Sequence, residues 1–346
     1  KRPSSGVFLE KNGRRWRLEP AGVNLKSQQG THGMARVLRG DHKFNYKALL
    51  GRGTFGEVYR AVSEQTGQEV AIKKELGVPE PNRKSAIGRS LAREYRVLRF
   101  LDGGIGIPRA YYFVSGGDKD TMVYECLGQD LGDLLKACGG RFGMKTVLML
   151  ADQMLSRLEF LHSNNIVHRD IKPQNFTMGL GKNAQIVYLI DYGLCIFVNP
   201  NLPPVPHINT LQGSAAVEMV GTARFASINA HAQKRSQTFS DDLESLAYVL
   251  IYLRNGKLPW QGTGDKKPFN LIRISKERQS LSELCQGFPR EFQDFIKDAR
   301  ADRLRPPYHA QRKMFRKALG VTGVLDWQYD WVLKSKESKQ SKRSSA

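Results

Sequence analysis

The nine residues Val167-His168-Arg169-Asp170-Ile171-Lys172-Pro173-Gln174-Asn175 place a carboxylate, an ammonium and a carboxamide within six positions of one another. A turn needs no such set. A carboxylate can accept a hydroxyl proton, an ammonium can meet a phosphoryl group in transit, and an amide oxygen can bind a metal ion, which together are what phosphoryl transfer asks of a loop. Just upstream, Val147, Leu150, Ala151, Met154, Leu158 and Leu161 recur on one helical face, so the loop hangs from the end of a long amphipathic helix. Sixteen residues beyond Asn175, the apolar run 186–190 ends on Asp191-Tyr192-Gly193. A buried carboxylate without a cation is costly, and a divalent ion bridging phosphates supplies that cation.

Toward the N-terminus, Gly51, Gly53 and Gly56 form a GxGxxG pattern. A dinucleotide-binding fold requires a helix directly after such glycines. Here Glu57-Val58-Tyr59-Arg60-Ala61-Val62 alternates and is turned back by Thr66-Gly67, so the glycines belong to a hairpin whose bare amides can lie over phosphates. Lys73 closes the strand-like run Val70-Ala71-Ile72-Lys73. Alone it reads as a snorkelling surface lysine. Beside Glu94, on the helical interval marked by Leu91, Tyr95 and Leu98, it becomes a cation pinned by a carboxylate and aimed at a nucleotide's phosphates.

The chain has 346 residues, 40% hydrophobic and 25% charged, enough for a sizeable core in one large or two ordinary domains. Its longest apolar run, 246–253, is far shorter than a membrane-spanning helix, so no transmembrane segment is expected. The four cysteines, Cys126, Cys138, Cys195 and Cys285, show neither CxxC pairing nor the density of a disulfide scaffold, which points to reduced thiols and a cytoplasmic or nuclear protein. The net charge of +21 is concentrated at the ends: 1–45 carries ten Lys/Arg against three Asp/Glu, and 333–346 five against one. Such a surplus suits acidic or phosphorylated protein partners, nucleic acid or anionic lipid, and does not choose among them. The ends lack the aromatic interleaving of a nucleic-acid stacking platform, apart from Trp16.

Three segments are expected: a basic flexible leader over 1–43, a folded region over 44–332, and a Lys/Ser-rich disordered tail over 333–346. Within the folded region, 44–127 reads as mostly antiparallel strands with one main helix, and 128–332 as mainly helical. A helix is signalled with Ser240 as N-cap, Asp241 and Asp242 in its first turn, Leu243, Leu246, Ala247 and Leu250 inside, and Gly256 and Pro259 at its end.

The order and spacing of 51–58, 70–73, 168–175 and Asp191-Tyr192-Gly193 resemble the eukaryotic protein kinases. Within them the chain most resembles casein kinase 1, through Asp170-Ile171-Lys172-Pro173-Gln174-Asn175-Phe176-Thr177-Met178-Gly179, Gly221-Thr222-Ala223-Arg224-Phe225-Ala226-Ser227-Ile228-Asn229, Asp241-Asp242-Leu243-Glu244-Ser245-Leu246 and Leu258-Pro259-Trp260-Gln261-Gly262. The resemblance covers about 44–332. It implies an α+β, bilobal protein-kinase-like fold and a monomeric serine/threonine protein kinase using ATP and Mg2+. By resemblance, Asp170 is the catalytic base, Lys172 stabilises the moving charge, and Lys73 with Glu94 positions ATP. Asn175 and Asp191 hold magnesium, and Asp242 anchors the catalytic loop. Gly51, Arg52, Gly53, Thr54, Phe55, Gly56, Val58 and Ala71 surround the nucleotide, with Tyr124 as gatekeeper and a hinge running from Glu125 to Leu127.

The family favours acidic or phosphate-primed substrates through a basic cluster, which Arg224, Lys266 and Lys267 match in part. The stretch 194–220 has no Lys or Arg, and Val217 falls where the family usually has lysine. Tyr192 stands where most kinases have phenylalanine, in a column with His168 and Leu98. The tail serines Ser335, Ser338, Ser341, Ser344 and Ser345 are candidates for autophosphorylation. A pseudokinase scaffold would be expected to lack Lys73, Asp170 or Asp191, and all three are present.

Overall fold

A computed structural model describes residues 7–11, 14–18, 43–53, 56–75, 90–116, 119–199, 220–232, 235–261, 269–320 and 325–344. The chain divides into two compact units, Lys1–Gly128 with Ile190–Phe197, and Gln129–Leu189 with Val198–Ala346.

In the first unit, strands β1 (Val7–Lys11) and β2 (Arg14–Leu18) pair antiparallel with Lys11 opposite Arg14. This hairpin falls within the stretch 1–43 expected to be a flexible leader, the rest of which, apart from residue 43, lies outside the described residues. Its cause is local, since Asn12-Gly13 between runs containing Val7, Phe8 and Trp16 is a strong two-residue hairpin signal. The main sheet contains β3 (Phe44–Gly53), β4 (Gly56–Ser63) and β5 (Glu69–Glu75), followed by helix α1 (Ser90–Phe100) and strands β6 (Ala110–Gly116) and β7 (Lys119–Glu125). Its order is β3-β4-β5-β7-β6, every pair antiparallel. Ala61, Val70, Ile72 and Val123 form its core, with Phe44, Tyr111 and Tyr112 packed against them. The helix buries Leu91, Tyr95, Val97, Leu98 and Phe100, and Tyr95 stacks on Phe113 at 5.3 Å between ring centres. Side chains of this size each contribute about 1.5–3 kcal/mol on full burial. Lys73 and Glu94 thus come from elements fixed by packing.

The second unit is mainly helical. It contains α2 (Leu131–Ala137), α3 (Met144–Ser163), the short strands β8 (Ile166–Val167), β9 (Phe176–Met178) and β10 (Val187–Leu189), and then α4 (Ile228–Ala232) and α5 (Phe239–Asn255). Helices α6 (Phe269–Arg278), α7 (Leu281–Leu284), α8 (Arg290–Arg300), α9 (Tyr308–Ala318) and α10 (Asp330–Ser344) complete it. The face expected of α3 is buried throughout, Val147, Leu150, Ala151, Met154, Leu158 and Leu161 all at 0% exposure. α5 is buried on every side from Phe239 to Ile251, as a helix at the centre of a core must be.

Two expectations change here. The N-cap of α5 is Thr238 and not Ser240: Asp241 Oδ2 accepts the Thr238 N–H at 2.7 Å, and the Asp241 N–H donates to the Thr238 carbonyl at 3.1 Å. The earlier start also buries Phe239, which stacks on His162 at 4.6 Å. The tail expected to be disordered from 333 is helical through Ser344. Its Lys, Glu and Gln are good helix formers with no Gly or Pro among them, and the helix is started upstream by tertiary contacts of Asp330 and Trp331. Among the described residues, no helix is long and apolar enough to cross a membrane.

Candidate active site

In the first unit, Lys73 Nζ donates to Glu94 Oε2 at 2.7 Å and to Asp191 Oδ1 at 3.1 Å. Burial by itself would lower the lysine's pKa, but the Asp191 and Glu94 carboxylates outweigh it and hold the ammonium well above its ordinary range. Glu94 is 4% exposed and also accepts a backbone hydrogen bond from Tyr192, so α1 grips the turn that carries Asp191. Asp191 itself is left-handed (φ 67°, ψ 69°), a conformation costly for a non-glycine residue. Tyr192 is fully buried, so its hydroxyl is shut off from bulk solvent.

The strands around Lys73 place most of the expected nucleotide residues. Gly51 lies opposite Val58, Arg52 opposite Glu57 and Gly53 opposite Gly56 on the β3–β4 hairpin. Thr54 and Phe55 lie outside the described residues. The exposed Arg52 is paired with Glu57, which also accepts from Tyr59 at 2.6 Å. Gly56 is required by close approach, because a Cβ there would lie 2.3 Å from the Lys74 carbonyl oxygen. Across the sheet Val58 faces Lys73, and Ala71 faces Tyr124. Beyond β7, Glu125 is tied to Arg109 by a backbone bond of 2.9 Å, and Cys126 and Leu127 are buried.

In the second unit, Asp170 is 6% exposed and both of its carboxylate oxygens are engaged. Oδ1 accepts from the Thr222 N–H at 2.9 Å and the Thr222 hydroxyl at 2.8 Å. Oδ2 accepts from Lys172 Nζ at 2.6 Å and from Asn175 Nδ2 at 3.3 Å, and the same Nδ2 donates to the Asp170 carbonyl at 2.7 Å. With its nitrogen so used, Asn175 keeps its amide oxygen for another partner. Beneath the loop, Asp242 accepts from the His168 N–H at 2.6 Å, the Arg169 N–H at 2.9 Å and His162 Nε2 at 2.9 Å. His162 Nδ1 in turn meets the Tyr308 hydroxyl.

A family model, the protein kinase domain, matches residues 44–305. The chain belongs to the protein kinase domain family.

For this kinase domain, the sequence leaves Thr222 unassigned, although it supplies two of the bonds that orient Asp170. Gly221 beside it is strictly constrained: at φ 96°, a Cβ would lie 2.3 Å from the Arg169 carbonyl oxygen. The expected anion cluster is placed only in part. Arg224 lies with its guanidinium 5.8 Å from the centre of the Tyr252 ring, while its carbonyl accepts from Trp260 Nε1 at 2.8 Å. Lys266, Lys267 and Val217 lie outside the described residues. Among the described residues, no group of three or more His, Cys, Asp or Glu is arranged to hold a metal ion. Asn175, in the second unit, and Asp191, in the first, each carry a hard oxygen donor of the kind that magnesium takes.

Proposed function

We propose that the protein transfers the γ-phosphoryl group of ATP to serine and threonine hydroxyls of protein substrates, preferring acidic or phosphate-primed ones. The observation that carries this reading is the convergence of Lys172, Asn175 and Thr222 on the Asp170 carboxylate. Held in one orientation, Asp170 accepts the proton of the attacking hydroxyl, and the neighbouring Lys172 ammonium meets the charge of the group being transferred. Lys172 at this position follows the serine/threonine pattern. Lys73, fixed by Glu94, contacts the ATP phosphates; the glycine hairpin covers them, and the backbone from Glu125 to Leu127 meets adenine. Asn175 Oδ1 and the Asp191 carboxylate would hold magnesium, which supplies positive charge against the phosphate oxygens when bound. The preference for acidic or primed substrates draws on the net charge of +21 and on Arg224.

A peptide comparison tests the reading. Matched acidic peptides with Ser, Thr or Tyr as sole acceptor, with and without phosphoserine upstream, are incubated with magnesium-ATP. Ser and Thr peptides become labelled and Tyr peptides do not, and priming raises kcat/KM about tenfold, the worth of roughly one charge-assisted hydrogen bond. Labelling of tyrosine contradicts the hydroxyl assignment, and equal rates with and without phosphoserine contradict priming.

A further inference from the structure

Lys276, on α6, is 0% exposed. A lysine so buried is rare unless its charge and donors are used. Its Nζ donates to the Ala226 carbonyl at 2.5 Å and the Ala223 carbonyl at 2.9 Å, and lies 5.0 and 5.1 Å from the ring centres of Tyr248 and Trp260. His231 Nε2 stands 3.2 Å from the same Nζ and 3.0 Å from the Ala223 oxygen. His231 Nδ1 is buried without a hydrogen-bond partner among the described residues, which assigns the ring proton to Nε2 and makes the histidine a second donor onto Ala223. Three donor bonds therefore fall on two carbonyls of one short segment.

That segment begins where the catalytic carboxylate is held. Thr222, the residue before Ala223, makes both bonds to Asp170 Oδ1, and its carbonyl accepts from the Phe225 and Ala226 amides at 3.0 Å each. The turn is thus closed on itself, tied at one end to Asp170 and at the other to Lys276. The indole of Trp260, one wall of the lysine's cage, donates to the Arg224 carbonyl at 2.8 Å. Burial pushes the Lys276 ammonium down to about 7, Glu244 opposing this and Arg300 adding to it. A neutral amine still has two N–H donors for the two carbonyls, so the tie outlasts loss of the charge.

We infer that Lys276 is a positioning residue for phosphoryl transfer: by fixing the Ala223 and Ala226 carbonyls it holds Thr222 against Asp170 and so keeps the Asp170 carboxylate in the orientation the acceptor hydroxyl needs. The inference rests on the phosphotransfer reading for its kinetic consequence and on hydrogen bonds alone for its structural one. It is also invisible in sequence, because Lys276 lies 53 and 50 residues from the carbonyls it ties.

The test uses the full chain with Lys276→Met, which keeps the aliphatic length between Tyr248 and Trp260 and removes the donors. Hydrogen exchange followed by mass spectrometry is read at Thr222, Phe225 and Ala226, with α5 as internal reference. Exchange at those three amides accelerates about tenfold while α5 is unchanged. In turnover, kcat for a serine peptide falls about tenfold with KM for ATP within twofold, the signature of a misoriented Asp170 carboxylate with intact nucleotide binding. Lys276→Gln, which retains an amide donor, gives an intermediate acceleration at the same amides and serves as the reading if the Met variant does not fold. Unchanged exchange at 222–226, or equal acceleration across α5, overturns the inference. A wild-type chain that labels no peptide would instead strike the phosphotransfer reading, with exchange still deciding whether Lys276 holds the segment.

Discussion

Arg169 and Asp191 both adopt left-handed backbone conformations, with φ of 71° and 67°, and neither is glycine. Each such residue costs about 1–3 kcal/mol, and the cost is met by surrounding bonds. Arg169 gives its N–H to Asp242, and Asp191 is held through Lys73. At this scale, His231 carries a pH dependence. Burial, with the Lys276 ammonium adding to it, lowers its pKa from 6.5 to about 4. The unfolded chain therefore binds the proton first, so the stability due to neutral His231 is complete above about pH 6.5 and is lost as pH falls toward about 4. Thermal melts across that window should fall less steeply for His231→Gln than for the wild type, and identical acid limbs would contradict the assignment. Asp170, Lys172 and Asn175 were legible because their chemistry is packed into six residues of sequence. Thr222 was not, since it meets Asp170 from 52 positions away, and nothing in its own neighbourhood marks it as a partner.

At the level of elements, local signals explain both the successes and the corrections. The change from period two to period 3.6 after residue 128 separates the antiparallel sheet from the helices. The β1–β2 hairpin was equally legible in Asn12-Gly13 but was obscured by the basic composition around it. The cap of α5 was misplaced by two residues because Ser240 is an ordinary N-cap residue by type, whereas the reach of Asp241 back to Thr238 is set by geometry. The tail helix depends on its first turn. Gly143 N–H donates to Asp330 Oδ2 at 2.5 Å, the Asp330 N–H donates to Thr146 Oγ1 at 3.0 Å, and Trp331 lies 5.3 Å from Phe142. From Leu333 to Glu337 the helix is exposed. Ending the chain after Leu333 should leave the melting temperature within about 1 °C, as for surface changes that touch no special feature. Ending it after Leu325 removes the buried Tyr329 and its 2.8 Å bond from Gln153 Nε2, and should cost several kcal/mol and at least about 5 °C. Equal melting of the two truncations would show that Asp330 and its neighbours do not anchor the helix.

On the scale of the whole molecule, the kinase domain accounts for residues 44–305, and each of its two units arranges its own charged group tightly. One fixes Lys73 with Glu94 and Asp191; the other fixes Asp170 with Lys172, Asn175 and Thr222. Phosphoryl transfer calls on both sets, since positioning and electrostatics carry most of its acceleration. The most direct measurement is turnover of a serine peptide at saturating magnesium-ATP by the wild type, Asp170→Asn and Asp191→Asn. The wild type should incorporate phosphate into serine. Both variants should lose at least about 10²-fold in kcat, the lower end of what a general base contributes, with Asp191→Asn impaired at least as much as Asp170→Asn. An Asp191→Asn enzyme that turns over like the wild type would contradict the metal role of Asp191 and, with it, the proposed site.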